Sequence, residues 1–380
     1  MGTSFNGNLW MQYNTPVASG QIIKIGSVSL KVTVSSTSGS EGSGSGTVYY
    51  APITLSNQQS SATSSGFQQM IYFNPSTYSS NEMANLSNIE FTADAPIGTF
   101  GNVPLYAWIE SGASSSATNT VTWVNLASNT LGAAGSGTNT LTIYMNFLPN
   151  NSPVTSGYTG YAPQLYCASG CFQTSYAQYD DGANMFINYW NFAGTSLPSG
   201  WLSTGSWSGS VNNGLIVKSS SNFGGVYSQI STISNNILES YALISSSSSS
   251  DFAEELSTSS STGNDGFTLN NGYLYGFDGW DGYSQQIELT TSPINRLISS
   301  SSFSVNTGVY YILSLSLANS IKLANINYQN TISSTDSTYN SFSYIAVGEW
   351  STQTTYVQWL RTRSYPPNGV MPSASFGSII

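Results

Sequence analysis

The stretch NNGYLYGFDGWDGYSQQ, residues 270–286, gathers the side chains of this chain best suited to ligand chemistry. Tyr273, Tyr275, Phe277, Trp280 and Tyr283 supply flat apolar faces beside Asp278 and Asp281. An aromatic face stacks on the C–H side of a sugar ring while a carboxylate accepts from its hydroxyls. Tyr273, Tyr275, Asp278, Trp280 and Asp281 are therefore a candidate glycan contact. The two carboxylates could also give oxygens to a Ca²⁺ ion, which takes about six to eight. A plainer reading fits the same residues: Asn-Gly and Asp-Gly form turns, and aromatic strand ends pack the cores of β-sandwiches.

Other chemistries fall away on residue type. The 380 residues include no His, which excludes Ser-His-Asp and Cys-His nucleophilic devices and HExxH zinc chemistry. There is no Gly-Lys pair for a P-loop and no GxGxxG ahead of a helix. Glycoside hydrolysis would need two carboxyls facing across a cleft at about 5–10 Å. The neighbouring acids are Asp180 with Asp181, Glu254 with Glu255, and Asp278 with Asp281. Consecutive strand residues point to opposite faces, so neither of the first two pairs is a natural catalytic couple. No catalytic residue, cofactor or metal ligand is assigned, and the chain reads as a non-enzyme.

Cys167 and Cys171, in YCASGCF, are spaced too widely for a redox CxxC. A structural zinc needs about four Cys or His ligands, which these two could complete only across subunits. A disulfide closing a small loop suits an oxidising exterior, and two reduced thiols in a connector are the alternative. Asn85 and Asn150 head N-glycosylation sequons, in a chain where Asn and Ser are abundant enough to produce them by chance.

The elements that must position these residues are strands. In SVSLKVTVSS, Val28, Leu30, Val32 and Val34 alternate with Ser29, Lys31 and Thr33; in LTIYMNFLP, Leu141, Ile143, Met145 and Phe147 alternate with polar or aromatic residues. A period of two marks half-buried strands. Residues 1–148 hold about eight such runs between Gly, Ser, Asn and Pro clusters, as a jelly-roll-like antiparallel sandwich requires. The pattern lapses over 149–174, read as a linker carrying the Cys pair, and resumes over 175–380 with about ten or more strands, a larger sandwich. The fold class is all-β, two or more antiparallel sandwiches in tandem, without an amphipathic helix or a fixed-period repeat. The six serines from Ser245 read as an exposed loop.

Composition narrows the setting. Hydrophobic residues reach 39% and aromatics 13%, enough for a folded chain, while charged residues are 6% against a norm of about 25%. Acid unfolds proteins by protonating paired carboxylates and charging buried His, so a chain this poor in both should tolerate low pH. Fibrous and surface proteins of neutral habitats share this composition. With 7 Lys plus Arg, 17 Asp plus Glu and no basic patch, nucleic-acid binding is not expected. No apolar run approaches about 18 residues, so no transmembrane helix is expected. The first ten residues, MGTSFNGNLW, lack the basic and apolar regions of a secretory leader.

Two segments carry a resemblance. YDDGANMFINYWNFAGTSLPSGW at 179–201 and YVQWLRTRSYPPNGVMPSASFGS at 356–378 resemble the opening and closing signatures of a concanavalin-like sandwich domain of archaeal surface and secreted proteins. In length, Met start and double-β plan the whole chain is similar to the turret proteins at the five-fold vertices of turreted icosahedral viruses of thermoacidophilic archaea. That resemblance implies stacked jelly-roll-like domains, self-association as a homopentamer, penton-base and other capsid proteins as partners, and host attachment through a surface glycan or pilus. It also implies synthesis in the host cytoplasm without a leader and a final place on the outer capsid vertex. A cellular adhesin or carbohydrate-binding protein is the alternative, and a concanavalin-like glycosidase with two carboxyls meeting near Trp280 the third reading.

Overall fold

The computed structural model describes residues 22–25, 28–31, 47–149, 157–165, 176–245, 251–261, 269–278, 284–291, 296–303, 305–318, 321–350 and 352–380. The chain forms two compact units, Met1–Ser43 and Gly44–Ile380. In the first, Ile22–Ile25 pairs antiparallel with Val28–Lys31. Val32 and Val34, expected to prolong that strand, lie outside the described residues.

The second unit contains two sandwiches, as the alternating patterns predict. In the first, one sheet runs in the order Ser373–Phe376, Tyr49–Ser56, Thr140–Phe147, Ile89–Ala93, Val103–Leu105. The facing sheet runs Thr159–Tyr161, Ala107–Ser111, Thr120–Asn125, Gln68–Phe73. Period-two patterning sets the inward faces: Ala51, Ile53 and Leu55 are buried on the core side of their sheet, beside Ile143, Met145 and Phe147 of the neighbouring strand.

Two local features refine the expected boundaries. Thr159–Tyr161, within the stretch read as a linker, is a strand parallel to Ala107–Ser111. The last strand, Ser373–Phe376, leaves the second half of the chain and pairs with Tyr49–Ser56 in the first sandwich. Pro366 and Pro367, followed by Asn368 and Gly369 at φ 49° and 81°, turn the chain toward it. Phe376 then packs at 6.4 Å from both Phe73 and Tyr78.

The second sandwich is organised by one strand of 19 residues, Leu215–Ile233, that passes from one layer into the other. Its start, Leu215–Lys218, pairs with Thr354–Ser364, and the stretch from Gly224 onward pairs with Phe342–Glu349. Gly224 permits the crossing, since a Cβ there would stand 2.3 Å from the Trp207 amide nitrogen. Beyond Phe342–Glu349 one layer adds Phe252–Ser257, Gly272–Asp278, Ser284–Thr290 and Arg296–Ser302. Beyond Thr354–Ser364 the other adds Asn236–Ile244, Tyr310–Ala318, Ile321–Ile326 and Gln329–Ser334. The core between them includes Leu215, Val226, Phe252, Tyr273, Tyr275, Leu313, Ile345 and Leu360. The α-helix among the described residues is one turn, Gly182–Met185.

A third cluster joins the sandwiches. Trp108 and Trp123, on the outer face of the four-stranded sheet, meet Trp359 and Ile312 of the second sandwich, with Met185 and Phe186 between them. Three buried tryptophans make this junction a large apolar contribution, each ring removing roughly 150–250 Å² from water.

Candidate functional site

More than half of the charged residues whose burial is described lie inside the protein. Of the glutamates among the described residues, Glu82, Glu90, Glu110, Glu239, Glu254, Glu255 and Glu349 are buried, and so are Lys322, Arg361 and Arg363. Lone buried charges are costly, so each must be paired, hydrogen-bonded or neutralised.

Four of them form one cluster at the sandwich junction. Arg361 donates from Nε to Glu239 Oε2 at 2.7 Å and from Nη2 to Glu110 Oε2 at 2.8 Å. Arg363 donates from Nε and Nη2 to Glu239 Oε1 at 2.9 and 2.8 Å. Trp123 Nε1 and the Tyr328 hydroxyl also donate to Glu110 Oε2. Two guanidinium and two carboxylate groups balance. Burial alone would push the Glu239 carboxyl up, but Arg363 and Arg361 outweigh it and hold the group below its ordinary value. The Arg361 guanidinium lies 4.3 Å from the ring centroids of Phe186 and Trp359, 4.7 Å from Trp123 and 5.1 Å from Trp108. Arginine suits this site because its planar, weakly hydrated cation can be ion-paired at its edge and stacked on its faces. The cluster is a structural tie, built from the WLRTR sequence that carries the closing signature.

The carboxyl pairs are placed apart, as strand geometry requires. Glu254 faces the second core and Glu255 the opposite side of the layer, where its Oε2 accepts from the Leu269 amide at 3.1 Å. Burial pushes both well above the ordinary carboxyl range, which favours the protonated form. Asp180 is a hub: its carboxylate accepts from Trp108 Nε1 at 2.8 Å, the Tyr189 hydroxyl at 2.7 Å, Asn191 Nδ2 at 2.8 Å and the Gly182 amide at 3.0 Å. Burial raises Asp180 against these bonds, and pushes Asp181 up to about 6.

The aromatic stretch at 270–286 turns inward where it is described. Tyr273 and Tyr275 are fully buried, with hydroxyls donating to Asp336 Oδ1 at 2.6 Å and Gln285 Oε1 at 2.9 Å. Their rings therefore serve the core and present no stacking face at the surface, because strand alternation gives the odd positions of this segment to the sandwich interior. Asp278 ends its strand; its side chain, Trp280 and Asp281 lie outside the described residues. So do Cys167, Cys171 and Asn150. Asn85 is buried, with Oδ1 accepting from the Ser87 amide, so its sequon is not displayed at the surface. Among the described residues no group of three or more Asp, Glu, Cys or His could hold a metal, and no helix is long and apolar enough to cross a membrane.

An aromatic row that the sequence did not single out lies on the outer face of the layer containing Thr354–Ser364. By strand register Tyr356, Leu243 and Tyr310 form one cross-strand row, and Trp359 and Tyr241 flank each other in the next. Trp359, Tyr241 and Tyr310 stack, with centroids 5.5 and 4.7 Å apart and ring planes within 15° and 25°. Trp359 is buried, Tyr310 is half-buried, and Tyr356 is 39% exposed. Gln358, bulged out of register here, donates from Nε2 to the Tyr310 hydroxyl at 2.8 Å. The signal available in sequence was the density of Tyr and Trp in Tyr310–Tyr311 and Tyr356–Trp359, which alternation alone could not assign to a face.

No protein-family model matches the chain. A segment of 139 residues is 36% identical to an uncharacterised protein of Sulfolobus islandicus rod-shaped virus 1, covering 37% of this chain and 21% of that protein's length. Among solved structures, the chain is similar to the carbohydrate-binding module CBM66 from Bacillus subtilis, with 17% identity, a TM-score of 0.37, and coverage of 44% of this chain and 98% of the module. It is also similar to the exoplasmic/lumenal domain of VIP36, with 9% identity, a TM-score of 0.38, and coverage of 46% and 92%. A third is LamAcat from Zobellia galactanivorans, with 12% identity, a TM-score of 0.36, and coverage of 47% and 97%.

Proposed function

We propose that this chain is a carbohydrate-binding surface protein of an archaeal virus, working by recognition and not by catalysis. The observation that carries the reading is the placement of charge. Seven glutamates are buried among the described residues, and the described surface is rich in hydroxyls and amides, with few charges and some exposed tyrosine rings. Such a surface complements a neutral polyol, whose hydroxyls need donors and acceptors and whose C–H faces need flat apolar partners. Hydroxyls, amides and tyrosine rings keep their character in acid, because they do not titrate there. The viral relative supports a virion as the setting.

Hydrolysis is disfavoured by the same placement, since Glu254 and Glu255 face opposite sides of their layer and are buried. A turret at a five-fold vertex is the more specific form of the viral reading. It requires a ring of about five copies, whereas the relative belongs to a rod-shaped virus, whose geometry needs no such vertex.

The test is binding of the full chain to an immobilised panel of neutral and acidic glycans at pH 3 and 7, with reducing-sugar release followed in parallel. Retention on neutral glycans without sugar release is expected. Release of sugar, or no retention on any glycan, overturns the reading. Native mass spectrometry at both pH values separates the turret form, since a monomer throughout removes the vertex role and leaves glycan recognition intact.

A further inference from the structure

We propose that Tyr310 and Tyr356, with the Gln358 bulge beside them, form the platform on which a neutral pyranose ring sits. The inference deepens the carbohydrate-binding reading and rests on it.

The stack Trp359, Tyr241, Tyr310 starts at a buried ring and ends at a half-buried one. Each ring fixes the next, and the bond from Gln358 Nε2 holds the Tyr310 hydroxyl. Tyr310 is therefore a held ring, partly exposed, at the end of the stack. Tyr356 stands in the same cross-strand row on the far side of Leu243; it is 39% exposed, and Leu243 and Tyr310 are each partly exposed. Two tyrosines separated by one strand span roughly 10 Å, since neighbouring strands lie about 4.8 Å apart. That distance suits one sugar ring, or two linked rings lying across the row.

A second observation gives the platform a polar edge. Gln358 Oε1 is enclosed and meets no donor. Beside it is Gly214, at φ +123°, where a Cβ would stand 3.4 Å from the Val357 carbonyl oxygen, 3.8 Å from Gln358 Oε1 and 3.9 Å from the Tyr176 hydroxyl. Those are ordinary contact distances, so the space is the size of one methyl or hydroxyl group and is bordered by oxygens. Tyr176 braces the edge by donating to the carbonyl oxygens of Asn191 and Gln358 at 2.7 and 2.8 Å.

The row itself carries Tyr356, Leu243 and Tyr310, with neither acid nor base among them. An anionic sugar gains no partner from these residues, which favours a neutral ring. Preorganisation matters for so small a contact, because ordering loose side chains on binding would cancel its gain.

The probes are methyl α-D-mannopyranoside, methyl β-D-glucopyranoside and their disaccharides, titrated into the full chain by saturation-transfer NMR and tyrosine fluorescence. Tyr356→Ala is expected to weaken binding about tenfold, the scale of a lost stacking partner, while Tyr356→Phe stays within about threefold of the parent. Tyr310→Phe keeps the stack and is expected to lose less than Tyr310→Leu. Circular dichroism melting shows whether each variant is folded; Tyr356→Ala, at an exposed position, guards against a folding failure at Tyr310. Binding by the parent with no loss in Tyr356→Ala or Tyr310→Leu overturns the platform and leaves the carbohydrate reading standing. Absence of binding by the parent to every probe and to the wider glycan panel overturns both.

Discussion

Arg361 Nη2 meets Glu110 Oε2 at 2.8 Å, closing a buried ion pair between residues 251 positions apart in the chain. Glu110 belongs to the first sandwich and Arg361 to the second, so the pair ties two cores that alternation patterns would leave as separate beads. Replacing Arg361 with Met keeps much of the volume but strands Glu110 without its cation and leaves Glu239 with Arg363 alone. We expect a loss of about 3–5 kcal/mol, the usual consequence of breaking a buried pair from one side. Thermal melting at about 0.05 and 0.5 M salt checks the mechanism: the parent should show little salt dependence because the pair is shielded from the ionic atmosphere. A parent Tm that falls steeply with salt, or an R361M variant as stable as the parent, contradicts a buried tie.

The buried acids set a second expectation. Burial pushes Glu82 up to about 8, Asp181 up to about 6, and Glu254 and Glu255 well above the ordinary range. A carboxyl whose value is higher in the folded state holds its proton more tightly there. Its contribution is complete below the unfolded value, about 3.9 to 4.3, and is lost as pH rises through the folded value. Glu239 runs the other way, its support being lost only as pH falls through its lowered folded value. Stability should therefore rise from pH 8 toward pH 5, hold near pH 4, and decline in stronger acid as Glu239 takes up a proton. Melting curves across that range test it, and Glu254→Gln should flatten the slope between pH 5 and pH 8. A Tm higher at pH 8 than at pH 5 would refute the assignment.

The sequence reading succeeded where a local period decides the outcome. Alternation in residues 141–147 pointed to the buried Ile143, Met145 and Phe147. It failed where the answer depends on a distant partner. Nothing local distinguishes Tyr273, facing the core, from Tyr356, facing outward, since both sit in aromatic strands bordered by polar residues. Nor does SASF at 373–376 announce that its partner is Tyr49–Ser56. Sparse charge suggested tolerance of acid, but the structure adds that seven glutamates among the described residues are buried, which changes the expected response from flat to one favouring mild acid.

Asp180 offers a local test of the junction. Its four accepted bonds hold Trp108, Tyr189, Asn191 and the Gly182 amide around one carboxylate. Asp180→Ala leaves the Trp108 indole N–H and the Tyr189 hydroxyl unanswered in buried surroundings, at about 1–3 kcal/mol for each unsatisfied group. Asp180→Asn retains acceptor capacity through its amide oxygen and should recover a large part of that loss. Equal stability of the two variants in urea titrations would show that the hydrogen bonds are not what the carboxylate contributes.

Removal of residues 373–380 probes the returning strand. It deletes the pairing with Tyr49–Ser56, the reciprocal backbone bonds between Tyr50 and Ile380, and the contacts of Phe376 with Phe73 and Tyr78. A half-buried aromatic and an edge strand together should contribute about 2–4 kcal/mol to the first sandwich. The truncated chain is expected to melt earlier and to bind a hydrophobic dye, because deletion opens one edge of that core while leaving Arg361 and its partners in place. If the tie between sandwiches dominates, the truncated chain still unfolds in one transition at a lower temperature. If the returning strand is instead what makes the first sandwich a folded unit, that sandwich melts separately, and differential scanning calorimetry resolves two transitions.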